Sequence, residues 1–247
     1  MPWRRVAVVG LGACAILALC YLAARETPIF AVRTIEVTGA PKEVRLAAER
    51  AAHPFLGESL AALNGGGLVN ELEALPSVRS ATYDRAFPST LRIFIVPEQA
   101  VAVAKVGPNR WTVSARGRII QGATEEQAHA LPRFRLPSAS RTQAGGFLTD
   151  AHARTILAAL ALLPDGFPAR IATVELAEAE LTMGLRTEWG APELRLGDSA
   201  EMGVKLEVAA LVLRSLTSEE RAATAYVDVS IPARPVVGTS LDSQVEP

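Results

Sequence analysis

The longest apolar run of the chain is residues 6–24, VAVVGLGACAILALCYLAA, which contains no formal charge. As a helix this run would be roughly 30 Å long, about the thickness of the hydrocarbon core of a bilayer. Arg4 and Arg5 precede it, and positively charged flanks of a membrane helix stay in the cytoplasm. The pattern predicts a cytoplasmic tail over residues 1–5, a transmembrane helix over 6–24 with the lipid bilayer as its partner, and an extracytoplasmic location for the rest.

Two processed forms of this segment are alternatives. A cleaved signal peptide has a shorter apolar core and a small-x-small cleavage site. Residues 13–15 supply such a site only by dividing the apolar run in two. Residues 11–14 are similar to a lipoprotein cleavage box, but cleavage there would leave the apolar residues 15–24 on the mature chain. An uncleaved anchor is therefore the favoured interpretation.

A linker over residues 25–29 leads to a region in which the apolar period changes between strand and helix values. Alternating apolar positions predict strands, and positions three or four apart predict helices. The predicted elements are a strand within residues 30–38, a helix from Pro41 to His53, a helix over 68–75, and strands over 78–85 and 90–96. This order can put both helices on one face of a three-stranded sheet.

The second region, residues 99–238, shows mostly short apolar runs separated by turn residues, which predict strands. Two longer runs predict helices, one capped by Thr149 and one over 199–216 with Asp198 and Glu201 as a capping box. Residues 239–247 are polar and are predicted to be disordered. The fold class predicted is α+β: one transmembrane helix, a small β-α-α-β-β domain, and a mainly β domain with two helices and a C-terminal edge strand.

The last predicted strand, Tyr226–Ile231, is followed closely by Pro232 and Pro235. Proline cannot donate a hydrogen bond to a neighbouring strand, so it is confined to sheet edges, strand ends and bulges. The segment is therefore predicted to be an edge strand that leaves the sheet near Ile231. Such an edge is either protected against aggregation or kept open for a partner's strand, and the prolines alone leave both interpretations open.

Composition argues against several classes of function. A net charge of −1 does not suit a nucleic-acid-binding protein, which needs a basic face. The two cysteines, Cys14 and Cys20, both lie in the apolar run, so the external part has no disulfide. The isolated histidines His53, His129 and His152 show no metal-ligand spacing, and no Gly-x-Ser-x-Gly motif occurs. The chain is predicted to have no catalytic site, no cofactor and no metal.

Over nearly its whole length the chain resembles the FtsQ/DivIB family of cell-division proteins. In the first region the strand FAVRTIEVTG, the dipeptide Leu75–Pro76, and Pro88 with Thr90–Leu91 and Glu98 are similar to the POTRA domain of that family. In the second region the resemblance is carried by Trp111 with Gly117, by LRLGD with Lys205, and by YVDVSIPARPVVG. The resemblance implies a POTRA domain over residues 30–98 and an FtsQ-type β domain over 99–238.

The same resemblance implies a function. It implies a non-catalytic scaffold in the plasma membrane at the division septum, which recruits the FtsB/DivIC–FtsL pair and helps control septal peptidoglycan synthesis by the FtsW/FtsI synthase. The C-terminal edge would receive the partner subunit. The expected partner-binding residues are Tyr226, Val229, Ile231, Val236, Val237 and Gly238.

Two other hypotheses remain open. The chain would be a POTRA-containing envelope protein for polypeptide transport if it carried tandem repeats of that domain, and the sequence shows none. It would be a membrane-anchored cell-wall hydrolase if it carried a clustered carboxylate pair or a histidine site. Asp198 and Asp228 could be imagined as such a pair, but Asp198 is predicted to cap a helix and Asp228 to lie in a strand, so the sequence shows no clustered pair.

Overall fold

A computed structural model describes residues 28–137, 140 and 142–239 of the chain. Its contacts divide the chain into a first unit that ends at Glu98 and a second unit that begins at Gln99. The predicted tail 1–5, the predicted transmembrane segment 6–24 and residues 240–247 lie outside the described residues. Among the helices of the described residues, none combines the length and the apolar character needed to cross a bilayer.

Within residues 28–98, three strands and two α-helices form the first unit. The elements are β1 (Thr34–Thr38), α1 (Lys42–Ala52), α2 (Gly65–Ala74), β2 (Val78–Ala86) and β3 (Thr90–Pro97). The central strand is β3, which runs parallel to β1 and antiparallel to β2. These elements occur in the predicted order, because the apolar period changes clearly between strands and helices in this part of the chain.

The two faces of β3 differ in burial. Leu91, Ile93 and Ile95 point into the core of the first unit, where α1 and α2 cover them. Phe94 and Val96 point the other way and are exposed. Helices on one face only leave the other face of the sheet to solvent, so the apolar alternation marks one core and not two.

Helix α2 begins three residues before its predicted start at residue 68. The Asn64 side chain accepts a hydrogen bond from the Gly67 N–H (3.1 Å) and so caps the helix. Gly65 lies against Tyr83, and a Cβ on Gly65 would overlap the Tyr83 hydroxyl group. The glycine run therefore forms the first turn of α2 and allows it to approach β2 closely.

Within the described part of residues 99–239, nine strands form one mixed sheet and four α-helices connect them. The strands are β4 (Ala100–Val106), β5 (Asn109–Ser114), β6 (Ile119–Gly122), β7 (Arg133–Leu136), β8 (Arg170–Ala177), β9 (Glu180–Arg186), β10 (Glu193–Gly197), β11 (Thr224–Asp228) and β12 (Val236–Thr239). The helices are α3 (Glu125–Ala130), α4 (Ala151–Ala161), α5 (Met202–Ser215) and α6 (Ser218–Ala223). The strand order is β12-β11-β10-β9-β8-β7-β4-β5-β6.

Parallel pairing explains where the helices lie. Strands β7 and β8 are parallel, and so are β10 and β11, and each such pair needs a crossover connection. Helix α4 makes the first crossover, and α5 with α6 makes the second. Helix α4 contacts β8 and helix α5 contacts β10. Their apolar sides share one core with the strands, which includes Phe134, Ile156, Met183, Leu194 and Leu206.

The predicted α+β fold class is wrong. The second unit is a mixed α/β arrangement with four helices in its described part, not a mainly β domain with two. The two overlooked helices, α3 and α6, have six residues each, too few to show a clear apolar period. Each nevertheless begins with a complete capping box, Thr124 with Gln127 and Thr217 with Glu220.

The predicted capping box of α5 is also wrong. Helix α5 begins at Met202, and Glu201 at its N-cap has a left-handed backbone (φ 51°) with no side-chain cap. The Asp198 carboxylate instead accepts a hydrogen bond from the Ala200 N–H (3.1 Å). It also accepts one from the Lys205 ammonium (2.7 Å). Asp198 therefore fixes the turn before α5 rather than the first turn of the helix.

Candidate interaction edge

Strands β11 and β12 form a hairpin at one end of the nine-stranded sheet. Strand β11 pairs in parallel with β10 on one side and antiparallel with β12 on the other. The predicted edge strand Tyr226–Ile231 is therefore wrong, because β11 is an inner strand that ends at Asp228. The edge strand is β12, in which Gly238 lies opposite Tyr226 and Val236 opposite Asp228.

Both prolines that suggested an edge belong to the loop between β11 and β12. The Arg234 N–H donates a hydrogen bond to the Ile231 carbonyl (2.9 Å) and closes a four-residue turn. Pro232 occupies the second position of this turn, where the fixed φ of proline is favourable. Pro235 lies directly before β12. The prolines therefore shape a hairpin loop.

The Tyr226 side chain holds β12 against the sheet. Its ring lies over Gly238, and a Cβ on Gly238 would overlap the ring atoms Cε1 and Cζ. The Arg195 guanidinium lies 4.0 Å from the centre of the same ring. Arg195 also donates a hydrogen bond from Nε to the Glu193 carboxylate (2.9 Å). Arg195, Tyr226 and Gly238 thus form a continuous contact across β10, β11 and β12, which we call the Tyr226 stack.

The six predicted partner-binding residues differ in what they expose. Val229 is fully buried, and Gly238 is buried under the Tyr226 ring, so neither offers side-chain surface to another protein. Tyr226 is half-buried in its stack. The exposed members are Ile231 (61%), Val236 (51%) and Val237 (38%).

The two ends of the nine-stranded sheet are not equally open. At the β6 end, the Ile119 N–H donates to the Gly146 carbonyl (2.9 Å), and the Gly145 N–H donates to the Ile119 carbonyl (2.8 Å). A neighbouring loop therefore covers part of that edge. At the other end, no strand within the described residues pairs with the outer side of β12 over residues 236–238. Unpaired backbone groups at a sheet edge are a template for another chain.

The two carboxylates of the hydrolase hypothesis are each occupied locally. The hydrogen bond from the Lys205 ammonium holds the pKa of Asp198 below its ordinary value, and the Ala200 N–H lowers that pKa further. Asp228 accepts hydrogen bonds from the Ser230 hydroxyl (2.6 Å) and the Ser230 N–H (2.9 Å). Within residues 28–137, 140 and 142–239, no group of three His, Cys, Asp or Glu side chains is placed to hold a metal ion.

Comparisons with known proteins identify no family for this chain. No protein-family model matches it, and no curated protein sequence matches it. The resemblance to division proteins therefore depends on the motifs described above and stays a prediction. The geometry of β12 supplies a separate basis for a functional proposal.

Proposed function

We propose that this chain is a non-catalytic scaffold of cell division that binds an extended segment of a partner protein along β12. The observation that carries the proposal is the open edge of β12, which is bordered by the exposed apolar side chains Ile231, Val236 and Val237. In strand addition, main-chain hydrogen bonds provide affinity and alternate side chains provide specificity. The edge has both components.

A partner strand would meet apolar surface on both faces of the sheet. Val237 lies opposite the buried Val227, whereas Val236 lies opposite Asp228, and successive residues of a strand point to opposite faces. Val236 and Val237 therefore offer one contact on each face. Because the Tyr226 stack already fixes β12, little ordering of the edge is needed when a partner binds, and this favours affinity.

The identity of the partner in this proposal comes from the family resemblance. The segment bound on β12 would belong to an FtsB/DivIC-like subunit paired with an FtsL-like subunit, and through them the chain would act on the FtsW/FtsI synthase. The proposed location is the extracytoplasmic side of the plasma membrane at the division septum. The motif YVDVSIPARPVVG, which carries much of the resemblance, includes most of β11 and β12.

A matched pair of substitutions tests the edge. Val236→Lys puts a charge on β12, and Val204→Lys puts the same charge on α5 at nearly the same exposure (51% and 53%). We expect Val236→Lys to weaken capture of the purified external segment of the host's FtsB/DivIC-like subunit by about tenfold or more, as loss of a central apolar contact does. Val204→Lys should bind as wild type does. Equal binding by wild type and Val236→Lys would place the interface elsewhere.

A second experiment tests whether the partner binds as a strand. N-methyl groups are introduced one at a time along the partner peptide, each removing one backbone N–H. Because alternate N–H groups of a strand point in opposite directions, binding should fall at every second position. Insensitivity at all positions would exclude strand addition. In the host, depletion of the protein should arrest division, and the Val236→Lys variant should fail to restore it.

A further inference from the structure

A cleft of about 770 Å³ in the second unit is lined by arginines. It is lined by residues at the start of β8, at the end of β9 and in the last turns of α5 and α6, and none of its lining residues belongs to the Tyr226 stack. Phe167 and Trp189, both half-buried, provide apolar lining, and Glu188 also lines the cleft. We call it the arginine cleft, and its arginines are Arg170, Arg186, Arg214 and Arg221.

Two of these arginines face each other across a strand pair. Arg170 on β8 and Arg186 on β9 are direct register partners, and both are exposed. Like charges directly opposite each other in a sheet are destabilising. Within the described residues, neither arginine forms an ion pair with a carboxylate, and Glu188 pairs with neither. Arg170 and Arg186 are thus cross-strand neighbours, and in the part of the chain that the structure describes neither is paired with a carboxylate.

The other two arginines are held by carbonyl oxygens, and neither forms an ion pair with a carboxylate of the described residues. Arg214 donates a hydrogen bond from Nη2 to the Gly166 carbonyl (2.9 Å), and Arg221 donates one from Nη2 to the Arg214 carbonyl (3.4 Å). The Nε atom of Arg221 is buried and has no partner within the described residues. Carbonyl oxygens position a guanidinium group but leave its full charge available to a bound anion.

We propose that the arginine cleft binds a short acidic peptide segment of a partner protein, in which carboxylate side chains flank an apolar one. A guanidinium group binds a carboxylate through two parallel hydrogen bonds, which gives both strength and orientation. Arg170 and Arg186 are placed to bind one carboxylate, and Arg221 with Arg214 a second. Phe167 and Trp189 are placed to receive the apolar side chain. This site is separate from the β12 edge and goes beyond the proposed function.

The surroundings favour carboxylates over more densely charged anions. The last turn of α5 lines the cleft, and a helix C-terminus carries partial negative charge. Glu188 adds a further negative charge. The helix C-terminus and Glu188 repel a phosphate group more strongly than a carboxylate, because the phosphate carries more negative charge. The cleft is also concave, and its volume is suited to a few side chains of a peptide. A flat bilayer surface would fit a concave cleft less well.

The test uses the full-length chain and two synthetic peptides, acetyl-Glu-Asp-Leu-Asp-Glu-amide and its neutral analogue acetyl-Gln-Asn-Leu-Asn-Gln-amide. Calorimetry at low ionic strength should show saturable binding of the acidic peptide and none of the neutral one. The double variant Arg170→Gln/Arg186→Gln should bind about tenfold to a hundredfold more weakly, because it loses charge-assisted hydrogen bonds. Its Tm should not fall, because a like-charge repulsion is removed.

The matched control is Arg79→Gln/Arg154→Gln, which removes the same charge from two exposed arginines outside the cleft. We expect it to bind the acidic peptide as wild type does, and equal losses in the two double variants would overturn the proposal. The variant Arg170→Lys/Arg186→Lys keeps the charge but loses the paired hydrogen bonds, and intermediate binding supports the proposed geometry. Binding of the acidic peptide by this variant at wild-type strength would overturn that geometry.

Two further probes separate other ligands from a peptide. Inorganic pyrophosphate and vesicles containing phosphatidylglycerol are titrated against wild type and the Arg170→Gln/Arg186→Gln variant. Tighter binding of either probe than of the acidic peptide, lost in this variant, would overturn the peptide proposal in favour of a phosphate or lipid site. Capture of the partner strand on β12 should be unchanged in the variant, so failure of this inference is distinct from failure of the proposed function.

Discussion

Replacing Gly238 with alanine tests whether the Tyr226 stack holds the edge strand in place. The added Cβ would overlap Cε1 and Cζ of the Tyr226 ring, so the ring must leave its position over β12. Moving the ring also breaks its contact with the Arg195 guanidinium at 4.0 Å. Gly238→Ala should therefore loosen β12 and weaken capture of a partner strand on its outer side.

Opposing contributions determine how much Gly238→Ala changes the free energy of unfolding. Overpacking of a fitted site costs about 1–3 kcal/mol, and loss of an exposed cation–π contact costs about 0.5–1 kcal/mol. Replacing glycine by alanine on an unstrained backbone contributes about 0.4–1 kcal/mol in the stabilising direction. Together these contributions predict that Gly238→Ala lowers the free energy of unfolding by roughly 0.5–3.5 kcal/mol. In a Tyr226→Ala background the overlap is absent, and the same change should stabilise slightly.

The assay is a double-mutant cycle on Gly238→Ala and Tyr226→Ala, measured by urea unfolding. The expected coupling energy is roughly 2 kcal/mol, because the two changes act on one contact. Gly203→Ala on α5 is the matched control, since no atom lies within 4 Å of the Cβ it would add. That control should stabilise the protein by about 0.5–1 kcal/mol. A Gly238→Ala cost that persists unchanged without the Tyr226 ring would refute the reasoning.

Three further substitutions test other parts of the fold. Phe134→Ala removes a ring that is 2% exposed in the core of the second unit and should cost about 3–5 kcal/mol in urea unfolding. Thr217→Ala removes the N-cap side chain of α6, which accepts a hydrogen bond from the Glu220 N–H, and should lower the free energy of unfolding by about 1 kcal/mol. An unchanged urea midpoint would show that α6 does not depend on its cap. Asp198→Ala removes the carboxylate partner of the buried Lys205 ammonium and should lower the urea midpoint near neutral pH. The pKa of Asp198 is lower in the folded state than its ordinary value of 3.8. The stabilisation that Asp198 provides is therefore complete above pH 3.8 and is lost as the pH falls through the lowered pKa. The difference in urea midpoint between Asp198→Ala and wild type should shrink in acid.

Sequence pattern succeeded where apolar periods were long and turns were clear. In the first unit the alternation around Leu91 to Ile95 lies on β3 as predicted, because helices cover one face of that strand. In the second unit α3 and α6 were too short to show a period. Their Thr-x-x-Gln and Thr-x-x-Glu capping boxes were visible in the sequence and are the signal that would have located them.

For the candidate interaction edge, a different property of the sequence pattern led to the wrong prediction. The alternation of apolar residues along 226–231 does not show what lies on the outer side of this strand. Solvent and a later strand of the same chain are both compatible with the same spacing of apolar residues. Pro232 indicated a break near Ile231, and the structure shows a tight turn there that brings the chain back as β12. Val236 and Val237 are exposed on β12, whereas Val229 is buried. Only the pairing register of the hairpin determines which of these valines are exposed and which is buried.

The position of β12 in the chain has a consequence for the order of events in the cell. This strand follows all the other described strands of the sheet and joins it only through β11, which itself depends on the crossover from β10. The ribosome must therefore synthesise nearly the entire second unit before the proposed docking surface on β12 can form. Recruitment of a partner through this surface would then be restricted to molecules in which the second unit has been synthesised and folded.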